Sequence, residues 1–154
     1  MPVPSPLPPL LLNVPAIAGR SPAEVEHVLG PPFRQSRVDV SQHVKRTYQG
    51  GSVEIVFVED QANWIKLYNT RNLPFTKHAL GRLGLPVSNP TYVNRDSVMS
   101  WHTIPRIREL SLYAGAGGDT SWVLVCVDLH YASRPRRNSK PLRLLGWKRS
   151  SGAG

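Results

Sequence analysis

The stretch GRSPAEVEHVLGPP, residues 19–32, fixes both ends of a short helix and constrains the fold more than any other part of the chain. Ser21 can accept from the open backbone N–H groups of a helix start, and Glu24 stands three residues later, the spacing of a capping box. Pro22 suits the first helical position, where a missing N–H costs nothing. Val25, Val28 and Leu29 give one apolar face at helical spacing. Gly30 closes the helix, and Pro31-Pro32 forbid its continuation. A helix this short is not stable alone in water, so its apolar face needs a surface to lie on.

The residues that follow supply that surface. The run 36–49 carries Val38, Val40, Val44 and Tyr48 among polar neighbours and is expected to be one extended strand, ended by a hairpin turn at Gly50-Gly51. SVEIVFVED puts Val53, Ile55 and Phe57 on one face, and Asp60-Gln61 turns the chain. ANWIKLYNT then alternates again, with Ile65 and Leu67 facing one way and Trp64, Lys66 and Tyr68 the other.

The pattern recurs. LPFTKHALGRLGLPVSNP, 73–90, is expected to form a second helix using Phe75, Leu80 and Leu83, followed by a weaker strand within 93–103. Strands over 106–115 and 120–131 complete the second half, joined by AGAGGD at 114–119. Leu29-Gly30-Pro31-Pro32 matches Leu83-Gly84-Leu85-Pro86, Val53–Val58 matches Arg108–Tyr113, and Trp64-Ile65 matches Trp122-Val123. The expectation is an α+β protein of tandem helix-plus-three-stranded antiparallel units, 17–72 and 73–132, sharing one sheet with helices packed on one face. A proline-rich arm, 1–16, precedes them and a disordered basic tail, 133–154, follows.

The phrase GxSPxEVxxVLGxP, the Tyr48 and Gly50-Gly51 hairpin, and VEIVFVxxxAxWI resemble the helix-then-three-strand module of the SmpA/OmlA small outer-membrane lipoproteins. The tandem arrangement resembles the beta-lactamase inhibitor protein fold. The resemblance rests on Gly19, Ser21, Pro22, Val25, Leu29, Gly30, Pro32, Tyr48, Gly50, Ile55, Phe57 and Trp64, over about residues 17–68, with only architecture carrying it through 73–130. It implies a binding module in place of a catalyst, gripping a partner with an open sheet face. The lipoproteins' signal peptide and lipid-bearing cysteine, and the inhibitor's disulfides, are not matched, so envelope location and lipid anchoring do not carry over.

Composition narrows the classes further. The net charge is +9, yet residues 133–154 hold seven of the 19 basic residues and no acidic one; the other 12 face 10 acidic residues, a net of +2. Six of the first fifteen residues are proline and no basic cluster precedes the apolar stretch, so the start is expected to be a polyproline-like arm and not a signal peptide. No apolar run is long enough to span a bilayer. Without a signal peptide or lipid-attachment cysteine the compartment stays open, with the cytoplasm favoured. Cys126 is the single cysteine and sits in the apolar run WVLVCVDL, as a small buried hydrophobe would.

No catalytic signature is present. His27, His43, His78, His102 and His130 are scattered without metal-ligand spacing, and no cofactor motif occurs. AGAGGD lacks the lysine and following helix of a phosphate loop and is expected to be a hairpin connection. The aromatic residues are more informative. Trp64, Lys66 and Tyr68 share one strand face, and Trp122 opposes Val123, Val125 and Val127 by the same parity. If helices cover the aliphatic side, these four form either anchors for another protein or a second small core under loops. In the tail, Arg134, Arg136, Arg137, Lys140, Arg143, Lys148 and Arg149 could neutralise phosphates and Trp147 could stack on a base, the nucleic-acid alternative. A membrane-surface contact through Leu142, Leu144 and Leu145 and a merely solvated segment are the other readings of that stretch.

Overall fold

The helix start behaves as its residues require. In the computed structural model, which describes residues 9–38 and 43–128, Ser21 Oγ accepts from Glu24 N at 3.2 Å and Glu24 Oε1 accepts from Ser21 N at 3.0 Å. Both halves of the capping box are therefore made, and the Ser21 hydrogen bonds hold the Glu24 carboxyl below the usual carboxylate range. Helix α2 runs Pro22–Leu29 and stops at Gly30, whose φ of 86° lies in the region that favours glycine. A shorter helix, α1, precedes it at Val14–Ile17.

The described residues build one antiparallel sheet of eight strands: β1 Arg34–Val38, β2 His43–Tyr48, β3 Val53–Val58, β4 Gln61–Leu67, β5 Tyr92–Asn94, β6 Val98–Trp101, β7 Ile107–Ala114 and β8 Thr120–Val127. The spatial order is β1-β2-β3-β4-β8-β7-β6-β5. Each half of the chain is thus a four-stranded meander, and the last strands of the two halves pair at the centre, Ile65 opposite Val125 and Lys66 opposite Leu124. A single-turn helix, α3 Ala79–Arg82, stands before the second meander.

The core lies on one face. Ile55, Ile65, Val125, Leu110 and Trp101 follow one another across five strands in register, all buried, and Val25, Val14, Ile17, Leu80 and Leu83 from the helical segments belong to the same cluster. Leu124 and Cys126 point the other way and, although shielded, lie outside that cluster. The α+β class, with an antiparallel sheet backed by a few helices, is therefore as expected.

Several boundaries differ. The run 36–49 is not one strand: β1 and β2 form a hairpin, so the first half holds four strands and not three. No glycine or proline lies between Val38 and Tyr48 to announce that turn. The weak strand within 93–103 is likewise the β5–β6 hairpin, turned at Asn94, whose side chain accepts from Asp96 N at 3.2 Å. The second helix shrinks to α3, because Leu73, Leu80, Leu83 and Leu85 are buried from an irregular segment. The last strand ends at Val127, and residues 129–131 lie outside the described residues.

The expected arm over 1–16 also needs correction for its later residues. Leu12 and Val14 are buried, and the segment is stitched to α3 and the residue after it by Leu11 N to Arg82 O at 2.7 Å and Val14 N to Leu83 O at 3.1 Å. Pro15, read as part of a polyproline stretch, instead sits in the first turn of α1, where proline is equally at home. Residues 1–8 lie outside the described residues.

The β3–β4 hairpin turns on Glu59 and Asp60, one residue earlier than expected, with φ of 52° and 61°. Positive φ at both central positions is the type I′ geometry that glycine and asparagine prefer. Asp60→Gly should therefore raise the unfolding free energy by about 0.5–1 kcal/mol, read from denaturant melts, by relieving a conformation costly for a residue with a Cβ.

Candidate functional site

The face away from the helices carries the four aromatic-strand residues that alternation singled out. Trp64 on β4 and Tyr68 just past its end are exposed at 39% and 45%, while Ile65 and Leu67 between them are buried at 0% and 3%. Lys66 is half-buried between them, and Trp122 projects from β8 on the same side. The structure thus brings Trp64, Lys66, Tyr68 and Trp122 together on one surface.

The rings are ordered by their neighbours. Trp122 stacks on Tyr113 of β7, with centroids 4.1 Å apart and planes 5° from parallel, and Tyr68 lies 6.5 Å from Trp122 on the β4 side. The Lys66 ammonium sits 5.9 Å from the Trp122 centroid, within cation–π range. Glu54 on β3 accepts from the Tyr68 hydroxyl at 3.5 Å and pairs with Lys45 Nζ at 3.5 Å. Burial first, and then the Glu54 carboxylate, push the Tyr68 hydroxyl above its ordinary pKa, so it stays a neutral donor.

Trp64 is held by a device that alternation did not reveal. The β3–β4 register slips between Val56 and Phe57, leaving Asn63 as the extra residue of a bulge. With its amide set to satisfy both neighbours, buried Asn63 donates to Val127 O at 3.1 Å and accepts from Trp64 Nε1 at 3.0 Å. An exposed ring tethered at its nitrogen loses little freedom when something packs on it. In the structure Ala62 and Asn63 are adjacent and both buried, which breaks the period of two. Tyr113 was also missed, since strand pairing and not its own strand pattern brings it to Trp122.

The same face is polar toward β6 and β7. Ser100 Oγ and Ser111 Oγ are 2.8 Å apart, and Ser111 donates to Glu109 Oε2 at 2.6 Å, so these buried hydroxyls are satisfied. Cys126 is 4% exposed beside them, as a small buried residue should be. Burial raises its thiol pKa, Arg108 working against and Glu109 with that shift. Native Cys126 should accordingly react with iodoacetamide at least about tenfold more slowly than in denaturant, a difference mass spectrometry reads directly.

Among the described residues no three His, Cys, Asp or Glu side chains cluster as a metal site. His27, His78 and His102 are exposed and His43 is half-buried; His130 lies outside the described residues. Gly115–Asp119 connects β7 to β8 as a hairpin through a short turn at Ala116–Gly118, the role expected of it. No helix among the described residues is long and apolar enough to cross a membrane. The tail positions Arg134, Arg136, Arg137, Lys140, Arg143, Trp147, Lys148 and Arg149 lie outside the described residues.

Comparison with known proteins places the fold and stops there. No family model and no curated protein matches the sequence. Among solved structures, an extracellular protein containing a SCP domain from Bacillus anthracis str. Ames is similar at TM-score 0.52 and 9% identity, over 83% of this chain and 49% of that one. A DUF4309 family protein (YjgB) from Bacillus subtilis aligns at TM-score 0.36 and 16% identity, over 73% of this chain and 81% of that one. This chain spans about half the length of the first of these, and neither carries the SmpA/OmlA description.

Proposed function

We propose that this chain is a non-catalytic protein-binding module, inhibitor-like or assembly-factor-like, that grips its partner with the aromatic face of the sheet. One observation carries the reading: Trp64 and Tyr68 are exposed on the face opposite the core, and Trp64 is fixed there by Asn63. Large rings held rigid in water contribute little to the fold and much to an interface, because they bury area at low entropic cost. The resemblance to the SmpA/OmlA module and to the tandem inhibitor fold supports the same reading.

The tandem description belongs to this proposal. It is supported by the helix before each meander and by matching slips in register, between Val56 and Phe57 in the first half and between Tyr113 and Ala114 in the second. Superposing Trp64 on Trp122 then brings Leu110, and not Arg108, to the place of Val53, because Leu110 faces Val125 as Val53 faces Leu67.

The test is affinity capture from cell extract with the full chain and with Trp64→Ala, followed by titration of whichever protein is lost. Trp64→Ala should cost about 2 kcal/mol of binding, roughly thirtyfold in Kd. Equal capture by both chains would refute the reading. The concentration of seven basic residues in 133–154 favours the alternative reading, a nucleic-acid-associated protein that binds phosphates through this tail. Binding to nonspecific RNA or DNA that responds to neither salt nor removal of 133–154 would eliminate it.

A further inference from the structure

Lys66 lies at the centre of the aromatic face with its charge unanswered. In the β3–β4 register it stands directly opposite Glu54, the natural partner. Glu54, however, is committed to Lys45 on the next strand and to the Tyr68 hydroxyl. The ion pairs Arg20–Glu24, Lys45–Glu54 and Arg46–Glu26 all leave Lys66 out. Lys66 is half-buried as a residue, and its ammonium lies over the Trp122 ring at 5.9 Å. A ring face compensates a partly desolvated cation less well than a carboxylate does. Arg34 on the outer strand shares the row Arg34, Thr47, Glu54, Lys66, which adds a second positive charge to this face.

The rings around Lys66 narrow what can approach it. Tyr113 stacks on Trp122 with centroids 4.1 Å apart, and the Lys66 ammonium and the Tyr68 ring lie 5.9 Å and 6.5 Å from the same ring. A nucleobase needs a free ring face to stack on, and Tyr113 already takes one face of Trp122. The carboxylates of Glu54 and Glu109 on the same side of the sheet repel a run of phosphates more than a single carboxylate seated at Lys66.

We infer that the partner of this face presents an aspartate or glutamate side chain, set among aliphatic residues, to the Lys66 ammonium. This rests on the reading of the face as a protein-docking surface and adds to it the chemistry of what docks. The carboxylate supplies the ion pair that Glu54 withholds, and aliphatic neighbours cover the exposed rings of Trp64 and Tyr68. As the partner excludes water, the pair strengthens, and its charge fixes the register of the contact.

A displayed library of random linear peptides, panned on the full chain and on the Lys66→Glu and Trp64→Ala variants, tests this. Pools from the native chain should be enriched in Asp or Glu flanked by Leu, Ile, Val or Met. Pools from Lys66→Glu should lose that enrichment and gain Lys or Arg. The best native peptide should bind Lys66→Gln on the order of tenfold more weakly, with the gap narrowing as salt is raised. Native pools without acidic enrichment, or pools unchanged by Lys66→Glu, would overturn the inference. If Trp64→Ala abolishes peptide binding in that case, the docking surface stands and only the carboxylate is wrong. Peptide binding indifferent to Trp64→Ala, or displacement of the peptide by single-stranded oligonucleotide from this face, would overturn both.

Discussion

Trp101→Ala should lower the unfolding free energy by about 3–5 kcal/mol in a denaturant titration. Trp101 is fully buried on the helix-side face of β6, opposite Leu110, and its Nε1 donates to Ser88 O at 3.0 Å. Truncation would open a cavity beneath the irregular segment that follows α3 and leave the Ser88 carbonyl without its donor. A loss below about 1 kcal/mol would mean that the segment over β6 is not core and that the sheet is not backed as described.

Ile17→Ala should cost about 2–5 kcal/mol by the same measurement. Ile17 is fully buried in α1 with Val14, and the backbone around them is bonded to Arg82 and Leu83. A loss below about 1 kcal/mol would mean that α1 is not part of the core. The substitution also tests whether the α1 segment ties the second half of the chain to the first, since Gly19 N and Ala62 N exchange bonds with Ala62 O and Arg20 O only a few residues on.

What could be read from the residues was what local rules decide. Ser21, Glu24 and Gly30 act within one turn of themselves, so the capped helix is legible without knowing any neighbour. The alternation around Ile65 and Val125 is equally local, and it assigned Trp64, Tyr68 and Trp122 to one side of their strands correctly. What could not be read depends on pairing. No glycine or proline stands between Val38 and Tyr48, so nothing in the residues marks where β1 ends and β2 begins. Trp101 gave no sign of its role because Val98–Trp101 is too short to show a period, and its cover comes from residues 79–88. The stack of Tyr113 on Trp122 and the tether from Asn63 to Trp64 are products of register, set by a strand pair and a bulge. Pro15 obeyed a local rule too, but one shared by arms and helix starts.

The central claim is that the two faces of this sheet have different duties, one holding the fold and the other holding a partner. The most direct measurement takes Trp64→Ala on a single preparation and records both its thermal midpoint and its affinity for the captured partner. Loss of the Asn63 bond should lower stability by no more than about 1 kcal/mol, a few degrees, while the affinity falls roughly thirtyfold. A collapse of the midpoint comparable to that of Trp101→Ala, with affinity per folded molecule unchanged, would show that the aromatic face is a second core.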